Sequence, residues 1–540
     1  MAEPAAAAPT AGPSRSGGLV LAAAIVGFGF LGSRLLGVVR TAAIADAFGS
    51  SPELGAFNLA FRIPDLIFQV LAGATLGSAF IPVFARLYRR DGPARAWRLA
   101  STMLNLVTTG TALLCLVSFV LAPLLVPLLA PDLGKDIGRH DELIDEAVKL
   151  TRIMLLSPFL FAISGMVTGI LNGRQRFVLT ALAPMLYNLA IIFGALVLAG
   201  PFGVEGLAIG VVVGSGLHLL VQVPGLFREK MRYRPSFDWR DGATREVGRL
   251  MGPRVLGLAA AQFNFLITTF FASKISSSAF NDLNYAWLLA QLPLALFGMA
   301  LSTAVFPRLA ENAADGDYAA LQETLSRVLR LAMFLTIPAA VGLAMLRVPV
   351  VTLLLEHGEF TAVSTAITAS ALGWYCLGLL PQAGIEVHSR GFYALGDTRT
   401  PVILAVGAVL VNLALSAVLY GPFEHEGLAF AISFSSWLEW MLLYRLYCRR
   451  TGAAAARDLR AIALFGVCAA VMAMTIAVGF APFDTGGRFD NSVIAIAGAV
   501  AGGVAYAAVA LALRIPEFEQ AIGRLRAMLG RVAAGRAVAP

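Results

Sequence analysis

Charged side chains inside long apolar runs are the residues in this sequence most able to do chemistry. In the apolar stretch 19–45, Arg34 lies about fifteen residues from the N-terminal end, or about 22 Å at helical rise. That depth is past the middle of a hydrocarbon core about 30 Å thick. Arg40 follows six residues later, about 240° of turn away, so on a straight helix the two cannot point into one cavity. In the next stretch Arg62 and Asp65 are three apart and share a helix face, with Pro64 between them as an expected kink. Arg254 follows Gly252-Pro253, and Glu386 and His388 stand near the end of a later run. Ionisable groups at such depths are expensive and face a cavity, a partner or the interface. Arg34 has no acid near it in its own helix, which points it to a polar cavity. Arg40 either joins that cavity or snorkels to the interface. Arg62 and Asp65 either serve the cavity or neutralise each other, and Arg254 meets a lipid headgroup or an interhelical carbonyl. Glu386 is either a helix-end ion-pair partner or a proton carrier, and His388 is an interface residue. Asp397 either contributes to an ion site or caps the helix that follows it. The excess of arginine over acid in the first half suits an anionic substrate, because guanidinium matches phosphate in shape and charge.

The elements that must position these groups are membrane spans. Of the 540 residues 58% are hydrophobic and only 14% charged, with a mean hydropathy of +0.77, against about 25% charged in soluble domains. This excludes an ordinary soluble enzyme, a disordered chain and a nucleic-acid-binding module. About fourteen segments reach the roughly 20 apolar residues that a spanning helix needs. They cover approximately 19–45, 54–85, 99–130, 147–170, 177–199, 204–227, 247–273, 283–307, 329–346, 361–389, 400–420, 427–447, 459–482 and 491–513. Arginine clusters follow the second, fourth, sixth and twelfth segments (Arg86 to Arg98, Arg174 and Arg176, Arg228 to Arg249, Arg449 to Arg460), whereas the odd gaps lean acidic. Those even gaps are therefore expected in the cytoplasm, with both chain ends on that side. The net charge of +8 reflects this topology, not a nucleic-acid partner. The four cysteines are scattered, the five histidines have no metal-ligand spacing, and there is no phosphate-binding loop, H-E-x-x-H or nucleophile elbow. The reading is a transporter without a metal or cofactor, not an enzyme, driven by a gradient, the membrane potential or a partner.

The chain also repeats itself. Gly73 stands nine residues before Pro82, and Gly298 nine before Pro307; Asn188-Leu189-Ala190 recurs as Asn412-Leu413-Ala414, and Glu205-Gly206-Leu207-Ala208 as Glu426-Gly427-Leu428-Ala429. The offset stays near about 220 residues, the mark of an internal duplication. Six spans per repeat keep the same orientation, so the halves are expected to be related by an axis along the membrane normal, around a central cavity with alternating access. The expected layout is a disordered tail at 1–18 that is not a signal peptide, six-helix lobes at 19–228 and 229–450, two additional spans at 451–513, and a basic cytoplasmic tail at 514–540. That last tail, with Arg524, Arg526, Arg531 and Arg536, is either an amphipathic helix on the membrane or simply solvated.

Several motifs resemble a known family. They are Ser33-Arg34-Leu35-Leu36-Gly37-Val38-Val39-Arg40, Ala60-Phe61-Arg62-Ile63-Pro64-Asp65-Leu66 running to Ala79-Phe80-Ile81-Pro82, Leu171-Asn172 with Arg176-Phe177 and Ala183-Pro184, Met251-Gly252-Pro253, and Gly391-Phe392-Tyr393-Ala394-Leu395-Gly396-Asp397-Thr398-Arg399-Thr400-Pro401. The last is the most specific. Over nearly the whole chain the sequence resembles the MviN/MurJ family of lipid II flippases, in the multidrug/oligosaccharidyl-lipid/polysaccharide exporter superfamily. The resemblance implies an all-α inner-membrane protein that moves undecaprenyl-pyrophosphate-linked disaccharide-pentapeptide to the outer leaflet. It implies a V-shaped cavity between the lobes and a lipid-tail groove shaped by the last two spans. It implies cationic cavity residues at Arg34, Arg40 and Arg62, and coupling to the membrane potential or a Na+ or H+ gradient. Membrane lipids and proteins of cell-wall synthesis are the further partners it suggests.

The departures from the family pattern remove charge. Gly55 stands where members carry an acid, Phe68 and Gln69 replace paired arginines, Gly73 replaces a second acid, and Trp287-Leu288 replaces an Asp-Arg pair. Arg254, Gln69 and Gln291 are the residues left to compensate at a headgroup site, beside Asp65 as a further expected contact. A flippase for another polyprenyl-diphosphate saccharide, or a non-transporting scaffold for cell-wall assembly, are the alternatives.

Overall fold

The computed structural model describes residues 15–73, 79–452, 455–480, 488–520 and 523, and among these the regular structure is entirely helical. Hydrocarbon offers backbone amides no partner, so a chain of this composition folds as helices that satisfy themselves. In order they are α1 (Arg15–Phe48), α2 (Pro52–Ile67), α3 (Ile81–Arg90), α4 (Pro93–Leu129), α5 (His140–Met154), α6 (Leu156–Gly173), α7 (Phe177–Phe193), α8 (Ala199–Phe202), α9 (Val204–Leu220), α10 (Val223–Arg228), α11 (Gly242–Ala272), α12 (Ala279–Pro293), α13 (Ala300–Ala314), α14 (Tyr318–Met345), α15 (Arg347–Leu355), α16 (Ala362–Ala394), α17 (Arg399–Leu419), α18 (Glu424–Thr451), α19 (Ala455–Phe480) and α20 (Arg488–Ala512). Wide π-helical stretches extend α2 (Phe68–Gly73), join α7 to α8 (Gly194–Leu198) and join α12 to α13 (Leu294–Met299).

Ten helical stretches among the described residues are long and apolar enough to cross a bilayer. The other four segments expected from the sequence lie on α1, on α2 with α3, on α11 and on α18. Two features were not anticipated. The fourth segment breaks at Leu155 into α5 and α6, and a short helix, α15, occupies the gap after the ninth. Residues 1–14 of the expected tail lie outside the described residues, and α1 already begins at Arg15. Arg524, Arg526, Arg531 and Arg536 also lie outside the described residues, as does the side chain of Arg254.

The chain divides into two compact units. The first comprises Met1–Ile44, Ala60–Pro123 and Val148–Ala259; the second comprises Ala45–Leu59, Leu124–Ala147 and Ala260–Pro540.

In the first unit an aromatic core joins α3, α4 and α6. Phe84 stacks on Phe80 at 5.3 Å and packs against Trp97 at 5.5 Å, and the Arg174 guanidinium covers Tyr88 at 3.9 Å. Arg174 and Arg176 each donate from Nε to Glu229 at 2.7 Å. Burial alone would raise the Glu229 pKa, but these two guanidiniums hold it below the ordinary carboxylate value. The packing of α7 on α9 depends on small residues that let backbones meet, since association in lipid is driven by close packing. A Cβ on Gly206 would sit 2.4 Å from the Leu198 carbonyl oxygen, and one on Gly210 3.0 Å from that of Ala190.

In the second unit α16 packs on α18, where a Cβ on Gly384 would strike the Trp440 indole at 2.1 Å. Arg330 on α14 is buried and donates from Nε to Glu517 at 2.9 Å, while its Nη1 lies 3.3 Å from Asp458. That triad ties α14 to the start of α19 and to the segment after α20.

Gly206→Ala is expected to lower the thermal midpoint of the purified protein, by an overpacking cost of about 1–3 kcal/mol. A thermal-shift measurement in detergent that returned an unchanged midpoint would show that the crossing relaxes freely.

Candidate functional site

The first unit brings two of the sequence candidates, Arg40 and Asp65, towards α7, with Arg62 and Gln69 beside Asp65. Arg34 is exposed on α1, whereas Arg40 is half-buried and donates from Nη1 to Asn188 Oδ1 at 3.1 Å. On α2 and its π-helical extension, Gln69 hydrogen-bonds the Asp65 side chain, and Arg62 is close enough to act on Asp65 electrostatically. Tyr187 stands within electrostatic reach of both Arg40 and Asp65. It links the α1 and α2 groups.

The local backbone explains this convergence. Pro64 removes one amide donor from α2, and the helix widens into π geometry at Phe68, where Gln69 lies. Such wide turns re-aim side chains and recur at functional sites. The ring of Phe68 lies 4.8 Å from Phe161, which meets Tyr187 edge-on at 5.1 Å and His218 at 5.2 Å. Beyond Phe161 a polar cluster continues. Ser164 Oγ is 2.6 Å from His218 Nδ1, Gln222 Nε2 donates to Ser164 Oγ at 2.9 Å, and Thr168 donates to Gln222 Oε1 at 2.8 Å.

The remaining candidates lie elsewhere. Arg254 is on α11 of the first unit. Gln291 is half-buried on α12 of the second unit, two residues before Pro293. Glu386 is ion-paired with Arg390 at 3.3 Å, one turn along α16, and Arg390 also donates to Thr303 at 2.8 Å. His388 is buried with Nδ1 2.8 Å from the Gly384 carbonyl, inside a wall of Trp440, Tyr444 and Tyr447. Asp397 accepts from the backbone amides of Arg399 and Thr400 at 3.0 Å, from the Thr400 hydroxyl at 2.6 Å and from Arg450. This is the capping geometry for α17. Among the described residues no cluster of His, Cys, Asp or Glu could hold a metal ion.

Sequence reasoning missed several groups. Tyr187 carries no charge and drew no attention, and Asn188 registered only as part of a repeated tripeptide. Asp282, in the first turn of α12, is 1% exposed. Its Oδ1 accepts from Thr368 at 3.4 Å, and among the described residues its Oδ2 has no hydrogen-bond partner. It sits in a node where Asn281 bonds Asn58 at 2.8 Å and the Ser51 carbonyl at 2.8 Å, and Tyr285 donates to the Gly49 carbonyl at 2.9 Å. Its position at the edge of an apolar run made it look like an ordinary end-of-helix acid. Glu439, half-buried on α18, was overlooked as a lone acid inside the expected segment 427–447.

Residues 44–497 match the family described as "Lipid II flippase MurJ". The Lipid II flippase MurJ of Burkholderia cenocepacia is 32% identical over 78% of this chain and 82% of its own length. The chain belongs to the MurJ family. The Probable lipid II flippase MurJ of Buchnera aphidicola is 30% identical over 77% of this chain and 82% of that protein. A solved MurJ structure in an inward closed conformation superposes with a TM-score of 0.75 at 24% identity, covering 92% of this chain and 99% of that one. An inward-facing MATE family transporter of the MOP superfamily matches at 0.66 and 17% identity, over 78% and 94% of the two chains. Those two likenesses concern the fold, which is the all-α multi-pass transporter fold expected from the sequence.

Asp397 supplies a test outside the membrane. Burial works against its charge, but hydrogen bonds from Thr400 and Arg450 outweigh it and hold the pKa at about 2. A carboxylate held below its unfolded value contributes stability above that value and loses it as pH falls from about 4 towards 2. Asp397→Asn is therefore expected to lower the thermal midpoint at pH 7, and the gap from the parent protein should close over that acid range. A gap that is constant with pH would remove the cap's charge from the account.

Proposed function

We propose that this MurJ-family chain flips lipid II from the inner to the outer leaflet of the cytoplasmic membrane by alternating access. The observation that carries this reading is the family match over residues 44–497, which takes in the second to the thirteenth expected segments. The protein is a membrane transporter, and its work is to carry a charged headgroup through hydrocarbon while the isoprenoid tail stays in lipid. Guanidinium groups suit that task because they remain charged at any physiological pH and match diphosphate oxygens in geometry.

Within this reading Arg34, Arg40 and Arg62 meet the diphosphate, and Asp65 and Gln69 hold the α2 face in place. Support comes from the bond of Arg40 to Asn188 on α7, from the reach of Tyr187 to Asp65, from Arg62 and Gln69 beside Asp65, and from the exposure of Arg34. Arg254 and Gln291 are further polar contacts for the same headgroup. Residues 19–228 and 229–450 are the repeated six-helix halves, and 451–513 is an added pair. Both termini lie in the cytoplasm, as the arginine-rich even gaps require. The driving force is the membrane potential or a Na+ or H+ gradient. Glu386, already held by Arg390, and Asp397, already capping α17, are weaker candidates for the coupling ion than the sequence alone suggested. Membrane lipids surround the chain, and cell-wall synthesis proteins are its candidate partners.

The test is movement of labelled lipid II in vesicles that hold only this protein, with a potential imposed. Accelerated, potential-sensitive movement is expected. Failure with folded protein, together with movement of another polyprenyl-diphosphate saccharide, would reassign the headgroup, which the charges missing at Phe68, Gln69 and Trp287 would then explain. Movement of neither would leave the scaffold role. Arg34→Ala should slow lipid II movement about tenfold or more, the scale of a lost charge-assisted contact, without affecting membrane insertion.

A further inference from the structure

Asn188 is a buried amide, 6% exposed, whose two ends face different groups. Its Nδ2 donates to the Pro184 carbonyl at 3.0 Å, one turn back in α7, and to the Ser33 carbonyl of α1 at 3.3 Å. Its Oδ1 accepts from Arg40 Nη1 at 3.1 Å. A side-chain amide has one donor end and one acceptor end. With the donor end committed to carbonyls on two helices, only the acceptor end can face α1 at Arg40. Flipping the amide would set an NH2 group against the guanidinium and a carbonyl oxygen against two others.

The guanidinium has five N–H donors, and the bond to Asn188 is the one acceptor contact it makes among the described residues. Asn188 is neutral, so it orients the cation without quenching it. An acid in this place would pair with Arg40 and remove it as a binding group.

An asparagine contact at the same spacing occurs in the second unit, with the amide turned the other way. Asn412 donates from Nδ2 to Asn264 Oδ1 at 2.9 Å, and Ser416 donates to Asn412 Oδ1 at 3.3 Å. Asn412 lies 148 residues after Asn264, as Asn188 lies 148 after Arg40. The duplication has thus kept an asparagine clamp on the first helix of each half. Only the first unit places a charge in it.

We propose that Asn188 is a positioning residue for anion recognition, holding one edge of the Arg40 guanidinium so that the remaining N–H groups stay presented to a diphosphate. The proposal rests on the reading of Arg40 as a headgroup contact.

The test is a double-mutant cycle in vesicles with labelled lipid II, read as the half-saturating lipid II concentration and the limiting rate. Asn188→Ala should raise the half-saturating concentration about tenfold, with little change in limiting rate. In the Arg40→Ala background the same substitution should add less than about twofold, because a positioning residue has nothing left to position. Asn188→Gln, which keeps the amide but displaces its acceptor, should shift the concentration in the same direction and gives a second readout if the alanine variant folds poorly. Asn412→Ala, which removes the equivalent buried clamp beside an uncharged partner, should leave the half-saturating concentration unchanged. An equal loss from Asn188→Ala with and without Arg40, or an equal loss from Asn412→Ala, would mark Asn188 as merely structural and overturn the proposal. Normal movement with Arg40→Ala would instead remove the headgroup reading of Arg40, and this proposal with it. Impairment by Arg40→Ala with parental behaviour of both Asn188 variants would sink the positioning role alone.

Discussion

Hydrocarbon supplies no hydrogen bonds, so each polar group along these helices must find its partner inside the protein. The rest of the structure is arranged around that demand. Arg40 is met by a neutral amide, Glu386 by an arginine one turn away, and Arg330 by two carboxylates. The nature of the partner separates their roles. Glu386 and Arg330 are neutralised by opposite charge and serve cohesion, whereas Arg40 is held without losing its charge and can still attract an anion. Asp282 is one exception among the described residues, a buried carboxyl with one oxygen lacking a hydrogen-bond partner. Such a group is tolerated only where neutral or where the structure changes around it.

The helices do more than cross. Proline and π geometry distort α2 where Gln69 is carried, and small residues allow α7 to run close against α9. These irregularities place α7 so that two adjacent residues, Tyr187 and Asn188, face groups from both α1 and α2. A regular bundle with bulky crossings would hold the same charges farther apart.

Much of this was legible in the sequence, for physical reasons. Apolar length exposes a span directly, so among the described residues each expected segment falls largely on helix. The deep arginines stood out because their cost is high, and the Asp397 cap followed from an acid just before a helical run. Partners were not legible. The bond from Arg40 to Asn188 joins positions 148 residues apart, and no local pattern specifies it. The repeated Asn-Leu-Ala tripeptide carried the signal, but only the folded structure shows what the asparagine holds. The break at Leu155 and the helix Arg347–Leu355 escaped for the opposite reason, since hydropathy varies too little there to mark a boundary. Asp282 and Glu439 escaped because a single acid beside or within an apolar run looks like noise until its burial is known.

The two asparagine clamps, equal in spacing and unequal in charge, also carry a chronology. If the repeated motifs record a duplication, a contact present at the same separation in both units was in place before it. The difference between Arg40 and Asn264 arose afterwards, by divergence of one copy from the other. On that reading the scaffold that could orient a side chain at this point is older than the difference between Arg40 and Asn264. One ancestral socket has become, in one copy, a place to present a cation and, in the other, a plain amide joint.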